Sequence, residues 1–365
     1  MVLPQVDFIG PRARRPWTEL SFRLPAHIPT MISREEAQYL SWLTRNLWDD
    51  SGHVVEMGPW LGGSTYCLAS GMAHVASPHH RLHVFDSFEW RDFMASRAPL
   101  GLTSGASFEA HFLANLAPFG DLVRSRRAVL PDELLDTDES LSEYRSAADT
   151  VYEQLKWRDG PIQLLFVDGA KSWTGLLHLL RETAPHFIAG KTVLVCQDYK
   201  HWGCYWVPAL TELLSHRLRL LHVIERNTVA FLVESLPTAE ELAALPSFLD
   251  AEVPTVLRLL DSAAARLVDV GDEVGAGIVS LGKIPLLVHR GAPQQALAEF
   301  RRQEANSFRY AHERSISEAR SWLARRLGQS LPEGKRRRLA RSVLALAARG
   351  KRLMKRNPRM NGVVS

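Results

Sequence analysis

Apolar positions set the reading of this chain. Ala37, Leu40, Leu43 and Leu47 recur at helical spacing, which predicts a leading helix behind an N-terminal arm, together residues 1–49. From residue 53 onward short apolar runs alternate with helical stretches. Residues 53–58 (His-Val-Val-Glu-Met-Gly) read as a buried strand, and 62–76 as a helix opened by Gly-Gly-Ser-Thr. Residues 81–88 and 122–126 read as the second and third strands, and 163–168 (Gln-Leu-Leu-Phe-Val-Asp) give the strongest strand signal. A helix over 173–187 follows, with Gly190 as its C-terminal cap, then a strand over 192–198 and a helix over 207–215. Segments 220–225 and 228–234 pair as a hairpin around Arg226-Asn227. This alternation predicts a doubly wound α/β domain over 50–235, a mostly parallel sheet covered on both faces with one antiparallel strand at an edge. Residues 131–160 form an acidic insertion, nine acids against three bases. Residues 236–365 read as a helical C-terminal extension, and no repeat with a period of roughly 20 to 50 residues runs through the chain.

Composition narrows the class. Of 365 residues, 46% are hydrophobic and 23% charged, which excludes a disordered, collagenous or coiled-coil chain. Cys67, Cys196 and Cys204 form no CxxC pair and no structural-zinc cluster, a usage that suits a reducing compartment. The N-terminus lacks a secretion signal, and no apolar stretch approaches the ~18 residues of a membrane span. A soluble, cytoplasmic protein is therefore expected. The net charge of +4 conceals an asymmetry: residues 331–365 hold eleven Lys/Arg and one acid, Glu333, a balance of +10 that leaves −6 for the rest. In this tail Leu339, Val343, Leu346 and Ala347 alternate with bases as in a basic amphipathic helix, broken at Gly350 and ended near Pro358. Such a helix can lie peripherally on an anionic membrane, grip nucleic acid, or dock on the acidic body of its own chain. The charge of the body favours self-docking.

The turn after the first strand selects the ligand class. It reads Glu56-Met-Gly58-Pro-Trp-Leu-Gly62-Gly63-Ser64-Thr65, at the position where a doubly wound sheet receives a nucleotide-like ligand. Glycines there allow close backbone approach, and the helix N-terminus offers free N–H groups to an anion. A dinucleotide fingerprint requires glycine at position 60, which is Trp60, and the Gly-Lys-Ser/Thr ending of a P-loop is absent. The remaining pattern, E-x-G-x-x-x-G-x-S-T, resembles motif I of class I S-adenosylmethionine-dependent methyltransferases. That resemblance implies that Glu56, Gly58, Gly62, Gly63 and Ser64 hold the methionine end of the cofactor. The second strand ends in Val84-Phe85-Asp86-Ser87-Phe88, with Asp86 28 positions after Gly58, where an acid can accept both ribose hydroxyls. The stretch from Asp86 is also similar to the "DSFEG" segment of macrocin-type sugar O-methyltransferases, with Trp90 in place of the glycine.

The fourth and fifth strands deliver a second cluster. Asp168-Gly-Ala-Lys171-Ser-Trp173 follows one and Gln197-Asp198-Tyr199-Lys200-His201-Trp202 the other. Neighbouring parallel strands bring Asp168 and Asp198 to one rim, where the two carboxylates need a cation between them, and Mg²⁺ suits such oxygen ligands. The cluster resembles the metal-dependent O-methyltransferases of the catechol and caffeoyl-coenzyme A type. In that resemblance Asp168 and Asp198 are metal ligands and Lys171 is the base, while Tyr199 stands where a ligating asparagine is expected. Gln197 or water would have to replace that ligand. The macrocin-type pattern fits less well, because Ala170 and Gln197 occupy its acidic positions. Asp168 can alternatively contact the cofactor or cap the next helix. Lys171 serves as base only if its pKa is depressed; His201 is the alternative base. Trp173, Trp202, Tyr205 and Trp206 either wall an acceptor pocket or pack the C-terminal segment onto the sheet. No Asn/Asp-Pro-Pro-aromatic motif follows the fourth strand, which disfavours methylation of nucleic acid bases. The expected activity is methyl transfer to an oxygen of a small molecule or sugar. The rivals are a non-catalytic methyltransferase-like binding or assembly module and, against the evidence of Trp60, a nicotinamide-dependent oxidoreductase.

Overall fold

The structure, a computed structural model, describes residues 15–75, 77–131, 154–306, 313–328 and 331. Most of the acidic insertion and the basic amphipathic helix expected in the tail lie outside the described residues. The strands are β1 His53–Met57, β2 Leu82–Asp86, β3 Val123–Arg127, β4 Ile162–Val167, β5 Val193–Cys196, β6 Leu218–Val223 and β7 Val229–Val233. They form one seven-stranded sheet in the order β3-β2-β1-β4-β5-β7-β6. Strands β1 to β5 run parallel, and β7 pairs antiparallel with both β5 and β6, one place in from the edge. This is the doubly wound, mostly parallel, Rossmann-like sheet that the residue pattern predicts. The winding reverses between β1 and β4, so the crevice at the carboxyl ends of those two strands is the switch point where ligands bind.

The central strands are apolar on both faces because both faces are covered. Val54, Val84, Leu164, Phe166 and Val195 point to one side, where they pack with α1 (Arg34–Asn46), α2 (Gly63–Met72) and α4 (Glu109–Leu116); a short α3 spans Asp92–Ala95. Helix α1 starts at a capping box in which Ser33 and Glu36 satisfy each other's end of the chain. It crosses α2 closely. The Thr44 hydroxyl donates to the Leu68 carbonyl at 2.9 Å, and a Cβ at Gly71 would overlap that hydroxyl. Val55, Phe85, Leu165, Val167 and Leu194 point to the other side, toward α5 (Trp173–Thr183) and α6 (Trp206–Leu213).

The described chain after β7 contains helices joined by turns and no strand. It contains α7 (Ala239–Ala244), α8 (Val253–Asp269), α9 (Glu273–Leu281), α10 (Lys283–His289), α11 (Pro293–Asn306) and α12 (Glu313–Leu327). The core runs across residue 235: Val256, Leu260, Ala263 and Leu267 of α8 belong to the same cluster as Leu210 of α6 and Val233 of β7. A separate cluster joins Trp202 to Ile284, Phe300, Ile316 and Trp322. The four candidate pocket aromatics prove to be packing residues. Trp173, Tyr205 and Trp206 are fully buried, the Trp173 indole donates to the Pro246 carbonyl at 2.9 Å, and Trp202 lies 5.7 Å from Trp322.

Two local expectations change. Gly190 does not cap α5, because Pro185 ends the helix at Thr183 and the chain continues as a tighter turn over Ala184–His186. Gly190 instead takes φ +71° in the next turn, and its N–H donates to the Val233 carbonyl at 2.8 Å. Strand β3 is the half-exposed outer strand of its side, which is why it reads Val-Arg-Ser-Arg-Arg rather than as an apolar run. No described helix is long and apolar enough to cross a membrane.

Candidate active site

The glycine turn is shaped by close contact between the ends of β1 and β4. Gly58 has φ +88°, and a Cβ there would sit 2.5 Å from the Gly169 backbone nitrogen. The Asp168 and Gly169 amides both donate to the Met57 carbonyl, at 2.9 and 2.7 Å, which fixes the β4 exit against the β1 exit. Gly62, also at φ +88°, starts α2 without a side-chain cap, so the helix N-terminus keeps its backbone donors for other partners. Trp60, where a dinucleotide site needs glycine, adopts φ +47° and is buried. Thr30 closes over this corner, since a Cβ on Gly63 would meet its hydroxyl at 2.7 Å.

Two acids bracket the turn. Glu56, inside β1, is fully buried; its Oε1 accepts a hydrogen bond from the Ser64 hydroxyl, and its Oε2 has no hydrogen-bond partner among the described residues. Burial pushes its carboxyl up to about 7, against the hydrogen bonds that pull it down. Asp86, at the end of β2, accepts the Phe88 amide at 2.8 Å and the Ser87 hydroxyl at 3.4 Å through Oδ1. Burial raises it to about 6, opposed by the Phe88 amide and by Arg91. A carboxylate oxygen that is buried and unpartnered fits a cationic amino group. A strand-end acid whose hydrogen bonds are concentrated on one oxygen fits a hydroxyl pair. The protein's own residues therefore fit the methionine and ribose ends of S-adenosylmethionine.

The second cluster forms a closed ionic triad. The Lys171 ammonium lies 3.0 Å from Asp168 Oδ1 and 2.6 Å from Asp198 Oδ2, and all three side chains are between 20 and 23% exposed. Burial alone would lower Lys171, but the two carboxylates outweigh it and hold the lysine well above its ordinary range. Depression of its pKa, the condition for Lys171 to act as base, is not met. In the orientation its surroundings require, the Gln197 amide nitrogen faces Asp168, 2.6 Å from Oδ1. The Asn227 amide reaches Asp198 Oδ1 at 3.4 Å from the turn between β6 and β7. Asp198 takes φ +60°. Burial would raise its carboxyl, but Lys171, His201 and the hydrogen bonds hold it down. His201 accepts the Gly203 amide on Nδ1 at 3.2 Å, which assigns the neutral ring's proton to Nε2 and makes the outer nitrogen a donor.

A divalent metal does not fit this donor set. Lys171 occupies the space between the carboxylates, Gln197 presents a donor, and Tyr199 is fully buried against Phe231, 5.5 Å away. Among the described residues no group of three or more His, Cys, Asp or Glu side chains can hold a metal ion. Asp168 and Asp198, expected as metal ligands, are instead the two partners of Lys171.

The structure thus assembles Glu56, Gly58, Gly62, Gly63 and Ser64 at one turn, with Asp86 and Ser87 at the next strand end and Asp168, Lys171, Asp198 and His201 beyond β4 and β5. Three contributors were not legible beforehand. Asn227 looked like an ordinary turn residue, and Thr30 lies in the arm. Glu36 caps α1 while accepting the Thr228 hydroxyl at 2.5 Å and adding negative potential at Asp168. Only the capping pattern at Ser33 could have drawn attention to Glu36.

No family model and no curated protein matches the chain. Among solved structures it is similar to the O-methyltransferase NovP, at 16% identity over 58% of this chain and 84% of that one, with a TM-score of 0.39. An O-methyltransferase from Bacillus cereus in complex with SAH overlaps at 16% identity over 57% of this chain and 84% of its own, TM-score 0.35. The calicheamicin methyltransferase CalS11 overlaps at 13% identity over 60% and 91%, TM-score 0.38. At such scores these likenesses add no weight to the fold, which stands on its strand order and pairing.

Proposed function

We propose that this chain is a class I S-adenosylmethionine-dependent methyltransferase acting on an oxygen of a small molecule or sugar in the cytoplasm. The observation that carries the proposal is Glu56: a fully buried carboxylate with an unpartnered oxygen, under a glycine turn, one strand from a second acid at Asp86. In this reading Glu56 Oε2 accepts the amino group of the cofactor. Gly58, Gly62, Gly63 and Ser64 let the backbone approach its methionine end, and Asp86 with Ser87 accepts the ribose hydroxyls. The bound cofactor supplies an electrophilic methyl group on sulfonium. The protein's part is to align an acceptor oxygen in line with that methyl and to shield it from water. Asp168 and Asp198 lie at the same rim as the glycine turn, and Asp168, which burial raises to about 6, is the carboxylate suited to accept the acceptor's proton. No step runs through a metal ion.

The rival reading is a non-catalytic module that keeps the fold for binding. The locked state of Lys171 between two acids favours it, because that lysine is not free to take a proton. Titration calorimetry with S-adenosylmethionine tests the first reading, with one cofactor bound per chain as the expected result. Glu56→Gln should weaken binding about 10- to 100-fold, as expected for a lost charge-assisted hydrogen bond. No heat of binding at millimolar cofactor would remove the methyltransferase reading.

A further inference from the structure

We propose that the ammonium of Lys171 is the resident cation of the acceptor rim, standing permanently where a divalent ion would otherwise bridge Asp168 and Asp198. The proposal deepens the methyl-transfer reading but does not depend on it, because it concerns the binding chemistry of the two carboxylates.

Three sets of contacts carry it. The first is the rigidity of the turn that presents Lys171. Its amide donates to the Gly169 carbonyl at 3.1 Å, Gly169 is held by Met57, and the Trp206 indole donates to the Ala170 carbonyl at 2.9 Å. On the far side Ser172 caps α5 through the Gly175 amide at 2.9 Å. The ammonium is thus aimed from a backbone fixed on both sides.

The second is the orientation of the carboxylates. The Asn227 amide takes Asp198 Oδ1, leaving Oδ2 to Lys171, and the Gln197 amide nitrogen shares Asp168 with the same lysine. Both acids are therefore oriented by N–H donors. A metal ion needs lone pairs at those places, and it would also meet the positive charge of Lys171 at contact distance. The third is the fate of the missing ligand. Tyr199 follows Asp198 directly, yet its ring is fully buried against Phe231, so the position that could have completed a metal shell belongs to the core. Lys171 acts through the two carboxylates and is a positioning residue.

Manganese titration followed by electron paramagnetic resonance, on the full chain, tests this without any acceptor. The wild-type chain should show no saturable Mn²⁺ site below millimolar concentration. Lys171→Ala should gain one Mn²⁺ site at least tenfold tighter, and the further substitution Asp198→Asn should remove it. Lys171→Arg, which keeps the cation, should stay without Mn²⁺ while remaining folded by circular dichroism. A wild-type site that binds Mn²⁺ tightly and is lost in Asp198→Asn would overturn the proposal, and so would a Lys171→Ala chain, folded by circular dichroism, that gains no affinity. If Lys171→Ala does not fold, Lys171→Met, which keeps the side-chain volume and removes the charge, takes its place with the same expected gain and the same overturning result. Cofactor calorimetry run alongside separates the two readings: a chain that binds no cofactor but behaves as above toward Mn²⁺ loses the methyltransferase reading and keeps this one.

Discussion

The fold alone does not compensate a charge on Glu56, and this makes its protonation a readout of the site. With burial lifting its carboxyl from 4.5 to about 7, the folded chain keeps a proton that the unfolded chain has released in that interval. The Glu56 contribution to stability therefore falls as pH rises from about 4.5 to about 7 and is level above that, by roughly 3 kcal/mol in total. In Glu56→Gln this component should vanish, so the difference in urea midpoint between variant and wild type should grow across the same interval. A cation placed on Oε2 reverses the preference. Cofactor binding near pH 6 should then release a proton from Glu56, and affinity should rise toward pH 7. Calorimetry in two buffers of different ionisation heat measures that proton, and an equal heat in both would remove Glu56 as the amino-group partner. The placement of this acid beside the glycine turn was legible in sequence, because the strand and the turn that bring them together both announce themselves in the residue pattern. At Lys171 the reading identified the need for a cation but assigned it to a metal. Spacing along the chain cannot tell that a lysine three residues away reaches both acids.

Among the elements, the β1–α2 turn is the least tolerant of change. Alanine at Gly58 would have to keep φ +88° and accommodate a Cβ 2.5 Å from the Gly169 nitrogen, which can yield only if β1 and β4 part. Gly58→Ala should cost about 2–4 kcal/mol in urea unfolding. Gly105→Ala is the control: its φ is +84° but no atom lies within 4 Å of the added carbon, so it should cost only about 1 kcal/mol. Central strands were easy to place because burial on both faces leaves an unbroken apolar run, as in Ile162–Val167. Strand β3 was faint because an outer strand carries arginines, and the end of α5 was overrun because Pro185 sits inside an apolar pattern that continues past it. The tryptophans were ambiguous for another reason: a pocket wall and a packing face demand the same residues. What separated them was the presence of α7 to α12, whose docking could not be derived from composition.

At the scale of the whole molecule, the helical extension is fastened to the site. Lys200, two residues beyond Asp198, is almost fully buried and pairs with Asp272 at the start of α9 at 2.9 Å, while also donating to the Ile224 carbonyl at 2.8 Å. Burial lowers its pKa and Asp272 opposes that shift. Asp272→Asn should therefore destabilise the protein by about 3–5 kcal/mol in chemical denaturation, with Lys200→Met/Asp272→Leu recovering part of the loss. A chain ended at residue 235 would expose the face that receives α8, and it should fail to give a cooperative unfolding transition. The order of the strands has a further consequence, for synthesis. β1 pairs with β4 in register from Val54 opposite Leu164 to Met57 opposite Val167, a partner made more than a hundred residues later. A ribosome that has released the first 130 residues presents β3, β2 and β1 with the apolar inner edge of β1 open to any passing strand. That edge of β1 stays open until residues 162–167 emerge, and β4 then carries the open edge forward until β5 pairs with it.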